Sequence, residues 1–142
     1  MDGSNQSANF GNCATNQNAV MNTVLWVAQG FLATVFFYSG LMKSTRSEQT
    51  LVAMGMTGVE HLPTPFIRFI GIAELLGAAG LLLPGLLRQW PVLTALAALS
   101  LGLIMLPAAV IHYRRGELRS VALNGVIFVG CLWVAIGRWP VA

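Results

Sequence analysis

Phe69–Leu87 reads FIGIAELLGAAGLLLPGLL. A run of about 20 predominantly apolar residues is long enough to cross the hydrocarbon core of a bilayer as a helix. Glu74 is the one charge inside this run. An ionisable group at that depth costs roughly 2.5–3.5 kcal/mol on insertion scales and marks a functional-site candidate. Its side chain is too short to reach the membrane surface, so the carboxyl must be protonated or paired with a cation.

The rest of the chain extends the same reading. Its 142 residues are 56% hydrophobic and only 9% charged, with a mean hydropathy of +0.69. Soluble domains are about a quarter charged, so this balance points to lipid as the solvent. The formal net charge of +3 comes from basic residues between apolar segments, which suits a membrane surface. Nucleic acid is not expected as a partner, because binding it requires a denser basic face. Cys13 lies in a polar stretch and Cys131 in an apolar one, so no disulfide framework is expected. No HExxH, CxxC or CxxCH motif occurs, and neither a metal site nor a catalytic residue is assigned.

Four spans are expected: Val20–Met42, Phe66–Leu87, Trp90–His112 and Ser120–Trp139. Ahead of them, Met1–Ala19 is polar and nearly uncharged, a composition expected to be disordered. It lacks the basic start of a secretory signal, so no cleavage is expected. The expected division is therefore a tail over 1–19 and a transmembrane domain over 20–142, with Met21 an alternative start. Between spans one and two, Thr45-Arg46-Ser47-Glu48 fits a capping box before a short surface helix. Thr64-Pro65 offers an N-cap and a first-turn proline to span two. Pro107 predicts a kink in span three. The other connections are short, which makes sequential spans antiparallel. The fold class is thus an all-α, up-down-up-down membrane four-helix bundle with both termini on one side.

Lys43, Arg46, Arg68, Arg114, Arg115 and Arg119 fall on one side of this bundle, and Arg88 and Arg138 on the other. The richer side is expected to be cytoplasmic, in a cell (inner or plasma) membrane, with the termini facing outward. Trp26, Trp90 and Trp139 then share the outer interface, where indole rings are enriched. Helix contacts are expected at small residues: Ala73, Gly77 and Gly80 on span two, Ala98 and Gly102 on span three.

Depth groups the polar residues. Lys43 ends span one and His112 ends span three on the cytoplasmic side. Arg68 opens span two, with Glu74 roughly 9 Å deeper at 1.5 Å per residue. Asn124 lies about 7–8 Å beyond Arg119. Gln29, Thr94 and Ser100 are the buried polar candidates of the outer half. Lys43 and Arg68 could equally snorkel to headgroups, and Asn124 could simply bond a neighbouring helix. Gly71 and Ala78 share the face of Glu74 and leave room for a partner side chain or a ligand. The expected site is a cytoplasmic-side pocket lined by Glu74, His112 and Asn124, with Lys43 or Arg68 at its mouth.

The ordered segments LWVAQGFLATVFFYSGLMK (Leu25–Lys43), RFIGIAELLGAAGLLLPGL (Arg68–Leu86), AAVIHYRRGE (Ala108–Glu117) and LNGVIF (Leu123–Phe128) resemble the DoxX-like family of small four-span membrane proteins. The resemblance covers Met21 to Arg138 and includes Lys43, Arg68, Glu74, His112 and Asn124. Founding members of that family resemble the membrane subunit of a thiosulfate:quinone oxidoreductase; other relatives are linked to oxidoreductase complexes or receptor assembly. Three functions follow as expectations. The first is a membrane anchor or assembly subunit, not an enzyme on its own, with a membrane or cytoplasmic protein partner or a second copy in an oligomer. The second is a quinone-linked subunit of an oxidoreductase, with quinone as its cofactor. The third is a proton-coupled small-solute transporter.

Overall fold

In a computed structural model, residues 3–139 are described, with side chains from Thr15 onward. Five α-helices follow in order: α1 (Gly3–Thr45), α2 (Glu48–Ala53), α3 (Thr64–Leu86), α4 (Pro91–Arg114) and α5 (Leu118–Arg138). A single 3-10 turn at Thr57–Val59 lies between α2 and α3. No strand occurs among the described residues. Four of the helices are long and apolar enough to cross a membrane: the Thr15–Thr45 part of α1, α3, α4 and α5. Their mean hydropathies are 1.6–2.2, so burial of apolar side chains in lipid outweighs the cost of their few polar groups.

α1 runs back to Gly3, through the stretch for which composition predicts no packed structure. Every residue from Thr15 to Val24 is exposed, so this part adds nothing to the core. A helix already nucleated propagates into an uncharged sequence at little cost. Cys13 lies outside the residues whose side chains are described, while Cys131 is a buried free thiol.

Two expected helix starts are displaced. Thr45 still belongs to α1, its hydroxyl donating to Leu41 O at 2.7 Å. Ser47 caps α2 instead, accepting from the Thr50 amide at 3.4 Å. α3 begins at Thr64 rather than Phe66, because Pro63 is extended and its carbonyl already accepts from the Ile67 amide at 3.1 Å. Pro84 and Pro107 lie inside α3 and α4 without ending them. Such prolines are tolerated in membrane helices, where neighbours satisfy the freed carbonyls.

α1 packs along α3, α3 along α4, and α4 along α5. The bundle is therefore up-down-up-down. Its core gathers Phe36, Leu81, Leu101, Cys131 and Val134 from all four spans. Of the expected small residues, Gly77 and Gly80 lie at the α3–α4 seam, where a Cβ would strike Leu101 or Ala97, while Gly102 faces Cys131 and Phe128 of α5. A direct backbone-to-backbone approach joins α1 and α3. A Cβ on Gly40 would lie 2.6 Å from Gly71 O, and one on Gly71 would lie 2.8 Å from Gly40 O. Only glycine at both positions lets α1 and α3 meet so closely.

The ring of helices closes unevenly. α5 meets α1 at Gly137, where a Cβ would lie 2.7 Å from Leu25, and at Gly130, opposite Leu32. Toward Lys43 the two helices diverge. The gap is covered by the segment after α2, whose Val59 forms a small core with Leu51 of α2 and Ile67 of α3.

Candidate functional site

The Gly40–Gly71 contact sets the facing of the residues on either side of it. Lys43 lies one turn past Gly40 and Glu74 one turn past Gly71. Because α1 and α3 are antiparallel, these turns lead in opposite directions from the contact, but the helical repeat keeps both residues on the same seam, which the long Lys43 side chain spans. Lys43 Nζ donates to Glu74 Oε1 at 2.6 Å. The Glu74 side chain is fully buried and that of Lys43 is 14% exposed. An ion pair in this setting offsets the desolvation of two charges only when its geometry is good. Here one carboxylate oxygen has a partner, and Glu74 Oε2 is buried without one among the described residues.

Where α1 and α5 diverge, a cavity of about 710 Å³ opens. Its polar lining comes from Tyr38, Ser39 and Lys43 of α1, His112 of α4, and Ser120 and Asn124 of α5. These cluster toward the Lys43 end. Val35, Leu103 and Ile127 line the opposite end, and Val35 is roughly 12 Å from Lys43 along the helix at 1.5 Å per residue. Gly55, Met56, Gly58, Val59 and Leu62 form the cover. Among the described residues, no Asp or Glu lines the cavity.

The cover is clasped to the α4–α5 turn by a cluster at the end of the spans. Glu117 Oε2 accepts from Thr57 Oγ1 at 2.7 Å and lies 2.6 Å from His112 Nδ1. Glu117 Oε1 accepts from Arg115 Nε at 2.9 Å, and Arg115 also pairs with Glu60 Oε2 at 2.5 Å. The Arg115 guanidinium, then the Thr57 hydroxyl and His112, hold the Glu117 carboxyl down to about 2. The same contacts, with Glu117 first and Glu60 second, raise Arg115 above its ordinary value. On its far edge His112 abuts Gly58, where a Cβ would lie 2.9 Å from Nε2.

The residues expected to form one site are thus divided. Lys43, His112 and Asn124 line one cavity. Glu74 does not line it; it stands behind Lys43, reached through the ion pair. Arg68 is exposed and does not line the cavity. The room expected beside Glu74 at Gly71 is taken by the backbone of α1. Thr57, Glu60, Arg115 and Glu117 were not singled out as a group. The only sequence signal for them was the presence of two acids beside the loops that carry most of the basic residues.

At the opposite end a second polar cluster joins α5 to α1 and α3. Arg138 Nε donates to Gln29 Oε1 at 2.7 Å, and its NH1 donates to Asn22 Oδ1 at 2.8 Å. Gln29 Nε2 in turn donates to the Leu81 carbonyl at 2.5 Å. The guanidinium also stacks 5.3 Å from the centre of the Trp26 ring. Thr94 is buried and Ser100 exposed, its hydroxyl bonded to its own helix at Leu96 O. Among the described residues, no group of three His, Cys, Asp or Glu is placed to hold a metal ion.

A family model described as the DoxX-like family matches residues 27–134. The match begins within α1, ends within α5, and includes every cavity-lining residue named above. Comparison with curated proteins and with solved structures gives no match.

Proposed function

The chain belongs to the DoxX-like family, and we propose that it is a membrane subunit, non-catalytic on its own, that binds an amphipathic small molecule and anchors or assembles a protein partner. The observation that carries this reading is the cavity between α1 and α5, graded from polar at the Lys43 end to apolar toward the middle of the spans. Ligand sites of this kind are concave and mostly apolar, with a few placed polar groups. Arg46, Arg68, Arg114 and Arg119 are exposed near the same end, a basic rim suited to acidic headgroups or an acidic partner surface. That rim faces the cytoplasm in this reading.

Purification of the full chain in a lipid-preserving disc, with every co-purifying protein and lipid identified, tests it. A stoichiometric amphiphile that is lost in Ala108→Phe, a substitution that fills the cavity wall, is the expected result. A protein partner in fixed ratio is expected beside it. An empty wild-type chain with no partner would reject the reading.

A second reading, a quinone-linked subunit of an oxidoreductase, has one observation in its favour. Lys43, His112 and Asn124 can all donate hydrogen bonds, and a quinone carbonyl accepts them. The electrons would have to come from a partner. Solvent extraction of the purified protein without recovery of quinone would end this alternative.

A further inference from the structure

We infer that the head group bound at the Lys43 end of the cavity is a carboxylate, and that the ligand is a single-chain monocarboxylic acid whose tail lies along α1 and α5. The inference rests on reading the cavity as a binding site and adds its chemistry. An ammonium has three donors, and the structure gives Lys43 one acceptor among the described residues, Glu74 Oε1. The same side chain lines a cavity that no acid lines among the described residues. His112, the other basic group in the wall, is held by Glu117. An apolar chamber with one under-coordinated cation at its polar end is complementary to one negative charge on an apolar chain. A phosphomonoester fits less well. It carries about −1.5 to −2 charges and favours the planar fork of arginine, whereas Lys43 is a single point charge and Arg68 does not line the cavity.

The Lys43–Glu74 pair also accounts for the charge that such a ligand brings. If it entered as an anion, the buried site would hold two carboxylates against one ammonium. Entry as the neutral acid avoids this. Lys43 passes one proton to Glu74 and takes one from the ligand. One O–H bond breaks on the ligand and one forms on Glu74, while Lys43 ends as it began, an ammonium. The site's net charge is unchanged, and Lys43 now faces the ligand carboxylate. The proton passes along the existing 2.6 Å contact to Glu74 Oε1, and neutralising the carboxyl also relieves Oε2, which is buried with no partner among the described residues.

The test uses the full chain in discs of zwitterionic lipid, with a tail-labelled long-chain fatty acid, its methyl ester and the matching alkyl phosphate as probes. A charge-assisted hydrogen bond predicts that the acid binds about tenfold or more tighter than the ester. Lys43→Gln should abolish that preference and leave the ester unaffected, while Lys43→Arg keeps it. Infrared difference spectra should show a protonated carboxyl appearing with the acid, absent in Glu74→Gln. If Lys43→Gln does not fold, Lys43→Gln with Glu74→Gln removes both charges and takes its place. Equal binding of acid and ester, tighter binding of the phosphate, or a preference that survives Lys43→Gln overturns the carboxylate assignment. In those cases the cavity still stands, provided Ala108→Phe blocks every probe. If no probe binds the wild type, the cavity reading falls as well.

Discussion

The two ends of the bundle each hold a cation from one helix against a polar partner on another, and they do so in opposite ways. At the Lys43 end, the cation meets a fully buried carboxylate where two glycines press α1 onto α3. At the Arg138 end, the cation meets neutral amides and an indole, and it fastens α5 to α1. The first arrangement stands beside an opening; the second closes one. An ion pair is therefore placed where the helices already touch, and a cation held by neutral partners where contact must be made across the ring. Removing one partner has different consequences: in the first case it strands a buried charge, in the second an amide.

Glu74→Ala should produce the largest effect, because it leaves the Lys43 ammonium without its partner. Breaking a buried pair costs about 3–5 kcal/mol, read as a fall in the unfolding midpoint in detergent. Replacing both members with apolar residues of similar size should recover most of it. Failure to recover would mean that the pair is more than a local charge balance.

Gly71→Ala comes next, because its Cβ would meet backbone atoms of α1 at 2.8 Å, and backbone cannot turn aside. Overpacking costs about 1–3 kcal/mol. A cysteine pair across the α1–α3 seam should cross-link more slowly in this variant. Unchanged cross-linking would show that the glycine contact does not determine the approach.

Arg138→Met should cost less, about 0.5–1.5 kcal/mol for each hydrogen bond lost to Gln29 and Asn22. Spin labels on α1 and α5 should report a wider separation at this end, and labels on α1 and α3 no change at the Lys43–Glu74 seam. A loss as large as that of Glu74→Ala would erase the contrast between the two ends.

The smallest effect concerns the clasp. Glu117 is held at about 2, well below its ordinary 4.5, so its contribution to stability is complete above 4.5. It is lost as pH falls from 4.5 toward 2. Glu117→Gln should be less stable than wild type at neutral pH and should lose this part of the acid dependence. Parallel curves for the two proteins would place the acid sensitivity on another group.

Much of the architecture was legible from local composition. The four spans begin and end within a few residues of where hydropathy places them, apart from the N-terminal extension of α1, because the transfer of apolar side chains into lipid is a sum over neighbours in sequence. The anomaly at Glu74 was equally plain, and its burial follows from its depth and its short side chain. Lys43 and Arg68 could not be separated as its partner by depth, since both lie near the same surface. The α1–α3 seam separates them: Gly40 and Gly71 set the rotation of the two helices, and that rotation turns Lys43 toward Glu74 while Arg68 is exposed. The clasp was harder still, since Thr57 and Glu117 are sixty positions apart and bond only because the loop after α2 folds over the α4–α5 turn.

By itself the sequence determined a four-span membrane bundle with one buried carboxyl that had to be neutral or paired. Both follow from the low dielectric of the bilayer, which acts on each residue wherever its neighbours are. Tertiary structure decided which cation Glu74 meets, that α1 and α5 part at the Lys43 end, and that Glu117 ties down the cover. These depend on helix rotation and on the distance between backbones. Both are set by packing between residues far apart in the chain, which no local sum contains.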